Sequence, residues 1–368
     1  MDGRPLQGAS SVRGIGSYAR GLLTGFAELE SPPEIRLLLS EHREPPPEVS
    51  ATVRAASQSI RVIHPTLQPV ADTVLVSRAL RDADVDLYHA IEFGQPLRTR
   101  LTVVVTVHDL IPFVMPREYP WVRRARILGL RLLRRADAVI AVSQATRRDV
   151  LRLGKTDPQR ITVIPEGIAP AFHPASAESI AALRAKFRID KPFLLAVGTF
   201  DPRKRLSVLA DVVSRVRRQH DVALVIAGDQ GTFAGSVSEG LERAGLAAHS
   251  RVIGHVSNDD LVALYTAAEV FVFTSAYEGF GLPPLESMAC GTPAVVFDNS
   301  SLLEVSGGAA SVVPDGDATA MAAAINRVLG DPSERGRMRE AGLAWAATFT
   351  WRRAAEKTLD VYRAALNR

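Results

Sequence analysis

The stretch V-F-V-F-T-S-A-Y-E-G-F-G-L-P-P-L-E, residues 270–286, decides the fold. Residues 270–275 are a short β-branched and aromatic run, the pattern of a fully buried strand. Two glycines and two prolines follow. Pro284 suits the first position of a helix, where its missing N–H would have had no partner anyway. Glu278 then falls on the loop and Glu286 in the first helical turn. The glycines let the backbone approach a ligand closely. The N–H groups of Gly279, Phe280, Gly281 and Leu282, together with the helix dipole, make an anion cradle. A diphosphate fits it, leaving Glu278 and Glu286 to accept hydrogen bonds from sugar hydroxyls. The structural alternative makes Glu286 a helix-start carboxylate and Glu278 a solvated loop residue. Pro283 stands where a reciprocal capping box needs Ser or Thr, which weakens that alternative.

Working outward, strand runs alternate with helical patterns through nearly the whole chain. The first half has strand candidates at 34–40, 59–63, 86–90, 101–107, 138–143 and 160–165, and the second at 193–198, 222–227, 251–256, 270–275, 293–297 and 310–314. Amphipathic helices are expected at 17–29, 70–82, 121–136, 206–219 and 258–268. Buried strands alternating with helices predict an α/β fold with parallel sheets covered on both faces. These are too many strands for one ordinary sheet. The break is the proline-rich segment beginning P-E-G-I-A-P-A-F-H-P at 165. Two doubly wound domains are therefore expected, 1–175 and 176–350, facing each other across a cleft. A C-terminal helical segment, 351–368, is free to cross back to the first. Ligands of such sheets bind beyond the carboxyl ends of the strands.

The 368 residues, 46% hydrophobic and 23% charged, suffice for two cores. One Cys, Cys290, excludes an internal disulfide and fits a reducing cytoplasm. No apolar run reaches membrane-spanning length, and no signal-peptide pattern opens the chain. A net charge of +4 is too small for a dedicated nucleic-acid binder.

Other strand ends carry further candidates. V-G-T-F-D-P-R-K-R-L, 197–206, puts Arg203 and Lys204 on a turn marked by Asp201-Pro202, where two cations can neutralise a leaving diphosphate without a metal. A solvated basic helix start is the alternative, although cations there oppose the dipole. V-T-V-H-D places His108 at the end of strand 101–107, able to bond a sugar hydroxyl or merely to pair with Asp109. R-G-I-G-S-Y, 13–18, opens a helix with Gly14 and Gly16, an approach to a phosphate or acceptor, or a plain turn. In G-H-V-S-N, 254–258, Asn258 reads as a helix N-cap. The acidic clusters 82–86 and 315–317 read as turn residues and not as a metal site. Helix 119–136 interleaves six Arg with Trp121, Ile127 and several Leu. It is either an ordinary covering helix or one that lies on an anionic membrane.

Glu278 and Glu286 form a Glu-x7-Glu signature, and the chain resembles retaining glycosyltransferases of family 4, with the GT-B fold, over essentially its whole length. The resemblance implies transfer of a hexose, mannose from GDP-mannose in particular, from a nucleotide diphosphate sugar to a glycan or lipid-linked acceptor in surface polysaccharide synthesis. It implies no cofactor, no metal and no nucleic-acid partner, and peripheral placement at the inner membrane face. It implies that Glu278 and His108 act at the transferred sugar, Glu286 at the ribose, Arg203 and Lys204 at the phosphates, Val256 at the base, and Gly14 and Gly16 in an active-site loop. The leaving phosphate itself would assist acceptor deprotonation, and closure of the two domains would exclude water. Two departures stand out. The Arg that follows the Gly in many members is Thr199 here, with Arg203 as its substitute. The strand that precedes the Gly14 loop in the family is represented only by residues 1–6. Two other classes remain open at this point: a non-catalytic nucleotide-sugar or glycan-binding protein, and a glycoside hydrolase using the two Glu residues. A dehydrogenase lacks its G-x-G-x-x-G.

Overall fold

The computed structural model describes residues 1–7, 14–41, 58–60, 68–81, 83–92, 95–199, 201–228 and 234–368. Arg13, residues 61–63, Asp82 and Phe200, which figure in the expectations above, lie outside them. The described residues form twelve strands: β1 (Leu38–Ser40), β2 (Gln58–Ile60), β3 (Leu87–Ala90), β4 (Thr102–Val107), β5 (Ala138–Ala141), β6 (Ile161–Val163), β7 (Phe193–Val197), β8 (Ala223–Ala227), β9 (Ser250–Gly254), β10 (Val270–Phe273), β11 (Ala294–Asp298) and β12 (Ser311–Pro314). Each overlaps one expected run. Every ladder between these strands is parallel. The reason is the uninterrupted apolar character of runs such as Leu224–Ala227, buried throughout, which only helices on both faces can cover.

The chain divides into two compact units, Met1–Gly167 with Phe349–Arg368, and Ile168–Thr348. The boundary read from the sequence lies later, at 175/176. Residues 168–175 go with the second unit because they pack on it. The Phe172 ring meets Tyr265 edge-on, and the Ala175 N–H donates to Thr266 Oγ1 at 3.0 Å.

The second unit is one sheet in the order β12-β11-β10-β7-β8-β9. Read from the other edge this is the doubly wound 3-2-1-4-5-6 order, with its reversal between β7 and β10. Leu194, Leu224, Val270, Val295 and Ile325 anchor its core.

In the first unit, β1 pairs with β2, and β3-β4-β5-β6 form a second ladder. Met1–Gly3 joins the two. Asp2 donates its N–H to His89 O, Gly3 donates to Leu38 O, and Leu38 donates to Met1 O, each at 2.9 Å. The short first strand is thus one bridge, Asp2 to Leu38, with the Asp2 carboxylate held by Arg4 at 2.9 and 2.7 Å.

The C-terminal helix Trp351–Leu366 packs on the helix Gly14–Ala27, and glycine makes the approach possible. A Cβ on Gly21 would enter the Trp351 indole, and one on Gly25 the Trp351 carbonyl. Gly25→Ala is therefore expected to destabilise the protein by roughly 1–3 kcal/mol in urea unfolding. Gly336→Ala, on the helix Pro332–Ala346 with open space around the new methyl, should be neutral or stabilising by about 0.5–1 kcal/mol. Equal effects at the two positions would show that the close packing is not what Gly25 provides.

Candidate functional site

The strand order reverses between β7 and β10, the place where ligands of such sheets bind, and the two strongest sequence motifs are the loops that leave the carboxyl ends of those strands. After β7 the backbone turns at Gly198, whose φ of +141° is closed to an L side chain. A Cβ there would also lie 3.3 Å from Lys204 Cε. Pro202–Lys204 forms a single 3-10 turn, and the helix Leu206–Val216 begins only after it. Arg203 and Lys204 thus precede the helix, which eases their conflict with its dipole. Two bonds tie this turn to the loop after β10: Thr274 Oγ1 donates to Lys204 O, and Ala276 N–H donates to Arg203 O, each at 2.7 Å.

Arg203 and Lys204 converge on one carboxylate. Lys204 Nζ donates to Glu278 Oε1 at 2.7 Å, and Arg203 donates to the same oxygen. Arg203 also reaches Ser275 Oγ and the Tyr277 carbonyl at 3.4 Å, and its Nε lies 3.4 Å from Asp201. Lys204 is only 6% exposed, and its ammonium stands 4.2 Å from the Phe273 ring centroid. Burial pulls the Lys204 pKa down to about 8, against the field of Glu278. Burial pushes the Glu278 carboxyl up, but Arg203 and Lys204 outweigh it and hold its pKa at about 2. Glu278 is therefore an anion at any physiological pH. Held by two cations, its carboxylate is set to accept hydrogen bonds and not to donate a proton.

The Glu278 loop is held by residues that the sequence did not flag. Ser300 Oγ accepts the Glu278 N–H at 2.9 Å, and Ser301 Oγ donates to the Glu278 carbonyl at 3.1 Å and to the Phe280 carbonyl. Gly281 caps the next helix with φ +111°, a second position that requires glycine. That helix runs Leu282–Ala289, so it starts two residues before Pro284, and Glu286 lies in its second turn and not its first. Both prolines still fall within the first three positions, where no intrahelical donor is needed. Leu282 is the first helical residue, Phe280 is buried, and Gly279 lies on the loop. Glu286 Oε2 accepts the Tyr265 hydroxyl at 2.9 Å. Burial first, then Glu286, raises the Tyr265 pKa, so its proton stays available to that bond. Val256 is half-buried on the loop after β9, and the helix it precedes is capped by Ser257, not Asn258. Asn258 is the first helical residue, while the Ser257 hydroxyl accepts the Asp260 N–H at 3.2 Å. Asp315 pairs with Arg205 at 2.6 Å, and Asp317 caps the helix Ala318–Gly330.

In the first unit, His108 follows β4, and both its ring nitrogens face oxygen. Nδ1 lies 3.0 Å from Glu166 Oε1, and Nε2 lies 3.1 Å from the Ile91 carbonyl. A neutral imidazole carries one N–H and would leave one of these acceptors unserved; the imidazolium serves both. Burial opposes that charge, but the hydrogen bond to Glu166, then the fields of Glu166, Glu92 and Asp109, raise the His108 pKa. The partner of His108 is thus Glu166, and Asp109 instead accepts the Ile111 N–H at 2.9 Å. The sequence showed Glu166 only as part of the P-E-G break. Gly14 and Gly16 begin the helix that carries Tyr18, whose ring meets His108 edge-on with centroids 4.6 Å apart. The sequence-derived residues fall into two sets. Arg203, Lys204 and Glu278 meet directly in the second unit, with Glu286 on the adjoining helix. His108, Gly14 and Gly16 belong to the first.

Two family models divide the chain: residues 12–172 match Glycosyltransferase Family 4, and residues 179–345 match Glycosyl transferases group 1. The O-antigen chain mannosyltransferase B of Escherichia coli is 31% identical over 312 residues, covering 83% of this chain and 79% of that protein. Sucrose-phosphate synthase from Thermosynechococcus elongatus superimposes with a TM-score of 0.77 at 22% identity, covering 96% of this chain and 94% of its own. Anabaena HepE, crystallised in complex with UDP and glucose, does so with a TM-score of 0.75 at 18% identity, over 98% and 97%. With the doubly wound sheets and the loops at the β7–β10 reversal, these likenesses establish that the chain belongs to glycosyltransferase family 4 and has the GT-B fold.

Proposed function

We propose that the chain is a retaining, metal-independent hexosyltransferase that carries mannose from GDP-mannose to a glycan or lipid-linked acceptor in surface polysaccharide synthesis. The observation that carries this is the convergence of Arg203 and Lys204 on Glu278 where the sheet order reverses. Arg203 and Lys204 take the diphosphate and neutralise the charge that grows on it as the bond to the sugar carbon breaks. The N–H groups at Gly279–Leu282 add to that field. Glu286, oriented by Tyr265, accepts from the ribose hydroxyls, with Val256 against the base. Glu278 accepts from the hydroxyls of the sugar. The His108 imidazolium acts on the same sugar by its charge, since both its N–H groups are engaged. The acceptor oxygen bonds to the sugar carbon on the face the diphosphate leaves, and its proton passes to the leaving phosphate oxygen. Gly14 and Gly16 border the acceptor. The relationship to an O-antigen mannosyltransferase supports mannose and a polymeric acceptor. The UDP in the HepE crystal supports a nucleotide diphosphate donor of the same general kind.

Placement at the inner membrane face completes the proposal. No helix among the described residues is long and apolar enough to cross a membrane. The helix Pro120–Leu132 exposes Trp121 at 75%, Val122 and Ile127 beside Arg123 and Arg124, a surface suited to an anionic bilayer.

Lys204→Ala and Glu278→Ala should each lower turnover of GDP-mannose by about a hundredfold or more with circular dichroism unchanged. Full activity in either variant removes that residue from the mechanism, and turnover abolished by EDTA removes metal independence. Glu166→Gln should shift the alkaline limb of the pH–rate profile to lower pH. A raised His108 pKa keeps the charge as pH climbs, and that support is lost with the carboxylate. An unshifted limb would separate His108 from catalysis. Trp121→Ser should release the protein from phosphatidylglycerol vesicles in sedimentation assays without changing activity on a soluble acceptor. Equal sedimentation of both proteins would exclude that helix as the contact.

A further inference from the structure

Arg203 and Lys204 are not waiting for a phosphate as bare cations. Glu278 occupies both, and Asp201 lies beside Arg203. Two cations and two carboxylates leave the cluster close to neutral before any ligand arrives. The side chains of Arg203, Lys204 and Glu278 are 17%, 8% and 12% exposed, so water screens their attraction weakly. Ser300 and Ser301 hold the Glu278 backbone at its N–H and its carbonyl, so a change of partner falls to its side chain alone.

We infer that Glu278 is a built-in rival of the diphosphate, and that the sugar decides which of the two anions the cations hold. This rests on the proposed function of Arg203 and Lys204. When the intact donor binds, the sugar hydroxyls donate to Glu278, so the carboxylate has other partners as the diphosphate takes the cations. After transfer the sugar is gone. Glu278 then has no donors from the ligand, returns to Arg203 and Lys204, and weakens their grip on the spent nucleotide. One carboxylate thereby makes the site prefer donor over product, and a site that prefers donor empties after each turnover. The residue that helps hold the sugar also expels what the sugar leaves behind.

The test is calorimetric titration, without acceptor, of wild-type protein, Glu278→Gln and Lys204→Met with GDP, UDP, GDP-mannose and UDP-glucose. Glu278→Gln should bind the nucleoside diphosphate that wild type recognises about tenfold tighter or more, the scale of one charged hydrogen bond. It should gain much less for the matching nucleotide sugar, so the donor preference shrinks. It should still lose transfer. Glu278→Ala should reproduce the gain if the Gln variant does not fold, since the loop is held by backbone bonds. If Lys204→Met binds more weakly than wild type while both Glu278 variants bind the diphosphate no better than wild type, the rivalry is overturned and the phosphate-binding role stands. If Lys204→Met binds all four ligands as wild type does, the phosphate-binding role falls and the rivalry with it.

Discussion

The structure depends on placing two cations and a carboxylate together, largely buried, beyond the carboxyl end of a parallel sheet. Left alone, either cation would be costly there, and so would the anion; together they are tolerated. Their pKa shifts carry that cost. Lys204 has its pKa lowered to about 8 from an ordinary 10.5, so the folded state resists its charge. That penalty is present at neutral pH and relaxes as pH rises through 8 toward 10.5. Glu278 works in the opposite sense. Its pKa is depressed from 4.5 to about 2, so it contributes stability above pH 4.5 that disappears as pH falls toward 2. Both pKa values are lowered, yet the two groups act on stability in opposite directions, because one is a base and the other an acid.

The backbone around the cluster is shaped to the same end. Gly198 and Gly281 hold positive φ on the two loops that flank it, and a Cβ on Gly228 would strike the Gly198 carbonyl. The first unit shows a related use of environment on two histidines. His89 is buried between Thr106 and Tyr362, and burial with nearby positive charge lowers its pKa to about 3, so it is a neutral link in a hydrogen-bond chain. His108 faces Glu166, which raises its pKa and favours its charged form. The same side chain thus serves as mortar in one place, and in the other as a base whose charged form its carboxylate partner favours.

The sheets were legible because buried parallel strands write long apolar runs, as at 193–197 and 223–227, that few other structures produce. Glu278, Arg203 and Lys204 were legible because each sits within a few residues of a strand end. Glu166, Tyr265, Ser300 and Ser301 were not. Their partners are 58, 21, 22 and 23 residues away, and nothing local distinguishes them from an ordinary linker, helix or turn. The start of the helix at Leu282 was missed because proline is tolerated at more than its first position. The unit boundary moved to 167/168 for a similar reason. Prolines at 165–174 announce irregular backbone, but which body that backbone packs on is set by Tyr265 and Thr266, far along the chain.

The last helix, Trp351–Leu366, belongs with residues 1–167 yet is made after the whole of the second unit. At about 5–20 residues per second of synthesis, the groove at Gly21 and Gly25 stays uncovered for roughly ten to forty seconds. The first unit can therefore finish folding only after residues 349–368 have been made. During that interval the N-terminal body presents an open furrow at Gly21 and Gly25, and a chaperone that shields it would act there while the second body is still being made.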